Sequence, residues 1–374
     1  MPQGFPVDLE TLRTVLDYLN IGVYITDTDR RIMLWNRQAE EITGYAAADV
    51  VGRRCADDVL QHVDKDGQGL CGTDLCPLFR SMKTGKESDE PILVYARKAD
   101  GKRVAVTVST APLRGKGGDV VGGVETFRNA SGLIRDLEMA QEVQRHLLPE
   151  SMPAIEGYGF DVAYHPHDQV GGDFYDVREI GVSRCAVLVA DVRGHGVSAA
   201  LYTMLLKSLE ESHEDLGARP EALAATLSRE LSRFFTRSGF ASAFYGVLDS
   251  ARHEITYTDA GHPPVFHFRA EQGAVEHLQR GGILLGVAPE FEYQSWSAFL
   301  APGDVLLCYT DGATDVPDGE GEMLGIEGLS GLFVEEVAAG PAGLPGRLYR
   351  RLSDHCGEVS MQDDVLLLSI ARER

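Results

Sequence analysis

Alternation and periodicity divide the chain into three stretches. In the first, running to about Asn129, IGVYITDTDRRIMLW predicts two short strands around an Asp27-Thr28-Asp29 turn, whose short carboxylates can bond local backbone. NRQAEEITGY continues as an amphipathic helix. ILVYARKADGKRVAVTVSTAPL predicts a hairpin turning at Ala99-Asp100-Gly101, and VVGGVETFRN a further strand. In the second stretch, residues 131–149, Leu133, Leu137, Ala140, Gln144 and Leu147 recur by four and three, a heptad seam with one polar member that Pro149 ends. So short a seam fits a helix packed on its own domain as well as one that pairs two chains and passes strain between domains. The third stretch alternates strands with helical segments. CAVLVADV is a continuously apolar strand ending on Asp191, GVSAALYTMLLKSLEESH an amphipathic helix, and ASAFYGVLD, HEITYTDAGHPPVFHF, DVLLCYTDGATDV and DDVLLLSIA are further strands.

The length of 374 residues suggests two or three domains, and the hydrophobic content of 44% supplies packed cores. A net charge of −22 repels nucleic acid and anionic lipid, so no partner of either kind is expected. The first residues lack the basic start and apolar core of a secretory signal. No apolar run reaches the ~18 residues of a membrane helix. A cytoplasmic location is therefore expected, where the six cysteines stay reduced.

The chemistry sits where apolar strands end. Asp173 follows Gly171-Gly172. Asp191 closes CAVLVADV. Asp311 follows VLLCYT, and Asp363 and Asp364 precede VLLLSI. A charge at the edge of a core is too costly to leave unpaired. One such acid reads as a turn or cap, but recurrence at separate strands suggests convergence on a divalent metal. Mg²⁺ and Mn²⁺ are hard cations that prefer oxygen and keep several waters. Two of them about 3.5–4 Å apart lower the pKa of a shared water and neutralise phosphoryl oxygens. The double glycine reads as room for a phosphate.

The order Val170-Gly171-Gly172-Asp173-Phe174-Tyr175-Asp176, Ala190-Asp191-Val192-Arg193-Gly194-His195-Gly196, Ala260-Gly261-His262-Pro263-Pro264, Thr310-Asp311-Gly312 and Gln362-Asp363-Asp364 resembles the SpoIIE/RsbU branch of the PPM-type serine/threonine phosphatases. Ala140-Gln141-Glu142-Val143-Gln144 with Leu147-Leu148-Pro149 is similar to the helix that opens that domain. The resemblance spans roughly residues 135–371. It implies an α-β-β-α sandwich and two Mn²⁺ or Mg²⁺ ions. Asp191 would bridge them, Val192 would offer its carbonyl, and Asp173, Asp311 and Asp363 would complete the set. Asp364 and Asp176 would be outer ligands or acceptors, with a cap or turn as the plainer reading of Asp364. Arg193 is a candidate bidentate contact for the substrate phosphate. His195 is a candidate proton donor to the leaving serine oxygen, or simply a loop histidine. His262 reads as structural, because two prolines fix its turn. By the same analogy the substrate would be a phosphorylated anti-sigma-factor antagonist of the STAS type, in partner-switching stress signalling. A phospho-protein-binding scaffold without turnover is the alternative. A nucleotide cyclase is disfavoured, since Phe174 stands where that family has an acid.

The first stretch resembles a PAS sensor domain in element order and in Trp35-Asn36 and Thr43-Gly44-Tyr45. The expected class is thus α+β: a PAS fold at 1–129, a linker helix at 130–150 that pairs a homodimer, and the phosphatase sandwich at 151–374. Cys55, His62, Cys71 and Cys76 crowd one window of the sensor. Their number suits a tetrahedral zinc or an iron centre, or a redox site. Reduced cysteines filling a small core are the alternative. Arg54 and the residues after Cys55 do not fit a flavin-binding LOV domain.

Overall fold

The computed structural model describes residues 9–373 apart from 58, 66, 195, 236–238 and 358–360. The chain divides between Asp136 and Leu137. In the N-terminal unit the order is α1 (Leu9–Tyr18), β1 (Gly22–Asp27), β2 (Ile32–Trp35), α2 (Arg37–Thr43), α3 (Ala47–Val50), α4 (Pro77–Thr84), β3 (Ile92–Arg97), β4 (Arg103–Arg114) and β5 (Val120–Asn129). The sheet order is β2-β1-β5-β4-β3, antiparallel throughout. Asn36 explains how the chain turns from sheet to helix. Its Oδ1 accepts from Val23 N–H at 2.8 Å and caps α2 through Ala39 N–H at 2.9 Å. Its Nδ2 donates to the carbonyls of Leu16 and Ile21. Tyr24, Trp35 and Phe127 pack ring against ring beneath.

Helix α5 (Ser131–Arg145) crosses the division between the units. The C-terminal unit then holds β6 (Tyr158–His165), β7 (Asp173–Gly181), β8 (Arg184–Val192), α6 (Val197–Ser212), α7 (Pro220–Leu231), β9 (Ala241–Asp249), β10 (Glu254–Ala260), β11 (Val265–Arg269), β12 (Ala274–Leu278), β13 (Trp296–Phe299), β14 (Val305–Tyr309), α8 (Gly325–Val337), α9 (Leu344–Cys356) and β15 (Val365–Arg372). Two sheets form, β13-β10-β9-β8-β7 and β12-β11-β14-β15-β6. Side-chain parity assigns the layers. On β8, Val187 and Val189 pack between the sheets with Phe244, Leu306 and Leu368. Ala186, Leu188 and Ala190 face outward under α6 and α7, against Leu206 and Leu227. On the second sheet Leu307 and Leu367 meet Phe333 of α8 and Leu348 of α9. Strands covered on both faces need no alternation, which is why CAVLVADV is apolar throughout. The layers are helix, sheet, sheet, helix.

Two expectations change. HEITYTDAGHPPVFHF is two strands in different sheets, β10 and β11. Pro263 and Pro264 have no N–H to give a ladder, so pairing stops at Ala260 and resumes at Val265. The α5 seam is also only partly free. Leu133 is 55% exposed, but Gln144 is buried and Leu147 packs on the outer core of its own unit.

Candidate metal centre

The two sheets bring their acid-bearing ends together. Asp173 opens β7 and Asp191 lies near the end of β8, directly opposite it in the ladder. Asp311 follows β14 and Asp363 precedes β15, so the pairing of those strands puts both acids at one end of the second sheet. Thr310 joins the sheets. Its hydroxyl accepts from Leu366 N–H at 3.0 Å and donates to Asp173 Oδ2 at 2.5 Å.

Among the described residues the charge of the group is only weakly offset, by His167 beside Asp363. Among the described residues no lysine or arginine pairs with Asp173, Asp191, Asp311 or Asp363. Burial, then repulsion from Asp311, Asp363 and Asp364, pushes the Asp191 carboxyl up to about 7. Burial and then Asp191 hold Asp173 well above the ordinary carboxylate range, against the Thr310 hydrogen bond. Asp311 and Asp363, which reach solvent, are raised by burial of their carboxylates first and by their acidic neighbours next. Asp315, absent from the sequence motifs' expectations, adds to the repulsion on both.

Such a set fits hard divalent cations in donor type. Among the described residues no three acids, imidazoles or thiols converge closely enough to form a closed cage. A hydrated Mg²⁺ or Mn²⁺ needs only one or two carboxylates from the protein at a time. Zinc in a structural site needs four protein ligands.

The neighbouring residues have tasks the sequence did not disclose. Asp364 accepts from three backbone N–H groups: His167 at 2.8 Å on Oδ1, and Gly172 at 2.7 Å and Asp173 at 3.4 Å on Oδ2. It staples the loop that carries Asp173. The glycines also make room for close neighbours. A Cβ on Gly171 would lie 2.1 Å from Asp364 Oδ2, and one on Gly172 would lie 2.4 Å from the Val192 carbonyl oxygen. Val192 itself is buried, with that carbonyl against Gly172. Asp176 is not at the centre. Three residues from Asp173, it falls on the opposite face of β7, where Lys207 Nζ meets it at 2.8 Å and Arg178 at 3.4 Å. The Arg193 guanidinium lies over the Phe240 ring, 5.1 Å from its centre. His195 lies outside the described residues. His262 is buried, bonds Ser242 at 3.3 Å through Nδ1, and is pushed down to about 3 by burial, as a structural, neutral imidazole would be.

Gln144 has the least expected position. Its side-chain amide donates to the Gly171 carbonyl at 2.8 Å and to Thr203 of α6 at 3.0 Å, and accepts from Gly171 N–H at 3.2 Å. A polar residue on an apolar seam was the available signal.

In the N-terminal unit, Cys55, Cys71 and Cys76 gather around Tyr24 and Glu125, whereas the His62 ring turns to Glu125, with Nε2 3.8 Å from Oε1. Burial holds the Cys55 thiol up at about 12. The hydrogen bond from Cys71 is the main cause that lowers Cys76 to about 6. Among the described residues of this unit no three histidines, cysteines or acids are arranged to hold the expected zinc or iron.

A family model described as stage II sporulation protein E matches residues 181–373. The chain belongs to the SpoIIE family. A PAS domain model matches residues 20–131. Phosphoserine phosphatase RsbU of Bacillus subtilis is 26% identical over 254 residues, 67% of this chain and 74% of the relative. Phosphoserine phosphatase RsbP of the same organism is 31% identical over 185 residues, 48% of this chain and 45% of the relative. Among solved structures, the SiaA-PP2C domain of Pseudomonas aeruginosa superposes with a TM-score of 0.57 at 24% identity, over 65% of this chain and 99% of that one. The RsbU and RsbW domains of Rv1364c from Mycobacterium tuberculosis give 0.53 at 26%, over 61% and 63%. The chain is thus a PAS-linked, PPM-type phosphatase of the SpoIIE family.

Proposed function

We propose that this SpoIIE-family chain removes phosphate from a serine or threonine of a STAS-type protein, as the RsbU and RsbP likeness suggests, with two Mn²⁺ or Mg²⁺ ions as cofactors. The supporting observation is the gathering of Asp173, Asp191, Asp311 and Asp363 from two sheets, with no lysine or arginine paired to them among the described residues. Bound there, the ions would supply an activated water and neutralise the phosphoryl oxygens. By the family resemblance Asp191 would hold both ions, and Asp173, Asp311 and Asp363 would complete the set. Thr310 orients Asp173, while Asp364 holds the loop. Val192 offers a carbonyl and Arg193 meets the substrate phosphate.

The sensor is assigned to 1–129, the linker helix to 130–150 and the phosphatase to 151–374. A homodimer through α5 is supported by exposed Leu133, Met139 and Val143, and coupling to the active loop by the Gln144 contacts. Nucleic acid and membrane are not partners in this reading. No helix among the described residues is long and apolar enough to cross a bilayer. Six free cysteines suit the cytoplasm.

The test is phosphate release from a serine-phosphorylated STAS protein. Release with Mn²⁺ that stops with EDTA and in Asp191→Ala supports the reading. Tight binding of the phospho-protein without release, by wild-type protein saturated with Mn²⁺, would instead establish a scaffold.

A further inference from the structure

The edge of the first sheet carries a cleft that the metal centre does not use. Among the described residues β13 pairs only with β10, so its other side offers main-chain N–H and C=O groups to a further strand. Trp296, its first residue, is 38% exposed and lies under Arg280, whose guanidinium carbon stands 5.2 Å from the ring centre. Phe291, Glu292 and the buried Tyr293 and Asp259 complete a cleft of about 270 Å³.

Hydrogen bonds fix the walls of the cleft. Asp259 Oδ2 accepts from the backbone N–H groups of Arg280 and Gly281, both at 3.1 Å, and its Oδ1 accepts from His262 N–H at 3.0 Å. The Tyr293 hydroxyl donates to the Ile283 carbonyl at 3.0 Å, and the Thr258 hydroxyl to the Gln294 carbonyl at 3.0 Å. The Arg280 guanidinium itself has no acid or carbonyl partner among the described residues, Glu292 included. In a chain of net charge −22, an arginine set on an aromatic ring instead of an acid keeps its donors open for an anion. The cleft shares a face with the metal centre. Tyr257, opposite Trp296 in the ladder, and Val189 of β8 both pack between the sheets, where parity also puts Asp191. β8 and β13 are three strand spacings apart, about 14 Å. Gly246, level with Trp296, is four residues along β9 from Ser242, the partner of Asp191, which adds about 13 Å along the strands. About six residues of extended chain cover the diagonal.

We propose that the Arg280–Trp296 cleft docks an acidic, extended segment of the phospho-protein substrate, with a carboxylate about six residues from the phosphoserine. Arg280 takes the carboxylate through paired N–H donors, Trp296 and Phe291 cover the apolar parts of its neighbours, and β13 pairs with the segment's backbone. Arginine, tryptophan and tyrosine are the residues that carry most binding energy where proteins meet. Charge names the occupant: the open cation selects an acidic segment, which the acidic remainder of the surface would repel. Docking of this kind rests on the reading of the chain as a phosphatase of proteins, which p-nitrophenyl phosphate tests apart from peptide binding.

The experiment uses the full chain and phosphoserine peptides with an Asp triplet about six residues before or after the phosphoserine, and the same peptides with Asn for Asp. Binding of the fluorescently labelled peptides is read by anisotropy without Mn²⁺, and phosphate release with it. The expected result is that an Asp peptide binds about 10-fold more tightly than its Asn counterpart, with KM lowered to match and kcat unchanged. Arg280→Glu should abolish that advantage and Trp296→Leu should reduce it, while both variants hydrolyse p-nitrophenyl phosphate as wild type does. The wild-type comparison carries the test even if a variant fails to fold. Equal binding of Asp and Asn peptides would overturn the proposal. So would an advantage that survives Arg280→Glu, or self-association of the chain that Arg280→Glu abolishes, which would make the cleft a contact between copies. A binding preference without hydrolysis of p-nitrophenyl phosphate or peptide would sink the phosphatase reading and leave the cleft as a docking site for an acidic segment.

Discussion

Two carboxylates stand three residues apart on β7 in opposite circumstances. Asp176 faces α6, where Lys207 and Arg178 neutralise it and Glu210 together. Asp173 faces the second sheet, where its neighbours are Asp191, Asp364 and Asp311 and its hydrogen-bond donor is an uncharged hydroxyl. Both are buried. A folded protein holds the first cluster together with its own cations. The second carries repulsion that protons or cations from solution would relieve. In the proposed reading the contrast separates a structural acid from a ligand-binding one on the same strand, which a count of buried carboxylates would not do.

Substitution should separate the two clusters. Asp191→Asn removes one acid of the weakly offset set, and turnover should fall by about 10³-fold in a phosphate-release assay, with a melting temperature no lower than wild type in the absence of metal. Lys207→Met should do the reverse. It leaves Asp176 and Glu210 sharing Arg178, and should cost about 3 kcal/mol of stability in urea unfolding, while Mn²⁺ affinity of the folded protein stays unchanged. If Lys207→Met weakened Mn²⁺ binding as strongly as Asp191→Asn, the two clusters would not be independent.

A smaller effect is expected one step out. Thr310→Val leaves Asp173 without its donor and should weaken Mn²⁺ binding about 10- to 100-fold, read by calorimetry. Thr310→Ser should restore it, because the hydroxyl and not the methyl touches Asp173.

Much of this was legible in the sequence. Asp173, Asp191, Asp311 and Asp363 each border an apolar run, and that pattern alone suggested convergence. The layer order was implied by the resemblance to the PPM-type phosphatases, not by the alternation of segments. Parity could have removed Asp176 in advance, since an odd spacing on a strand reverses the face. Other features depend on contacts between distant segments. Asp364 reaches back to the 167–173 loop, and Gly171 and Gly172 make room for atoms far away in the chain. The proton linking Thr310 to Asp173 crosses from one sheet to the other. No local period records such meetings. The AGHPP segment misled for a different reason: apolar residues on both sides of it read as one strand, and only the two prolines mark the change of sheet.

The smallest effect is a pH trend. Asp191 rises to about 7 in the fold, and Asp173, Asp311 and Asp363 shift in the same direction. A raised carboxyl binds its proton more tightly folded than unfolded, so these acids favour the fold while protonated. That contribution is lost as pH climbs from about 4, the unfolded value, through the folded value of Asp191. The melting temperature of metal-free protein should therefore decline across that window, and Asp191→Asn should flatten the decline.

The central claim is that the acids at the junction of the two sheets are a site for divalent cations. Titration calorimetry of Mn²⁺ into metal-free protein at pH 7.5 tests it most directly. The account predicts saturable binding in wild type and in Asp176→Asn, and loss of that binding in Asp191→Asn and Asp311→Asn. Equal binding in all four proteins, or none in wild type, would contradict it.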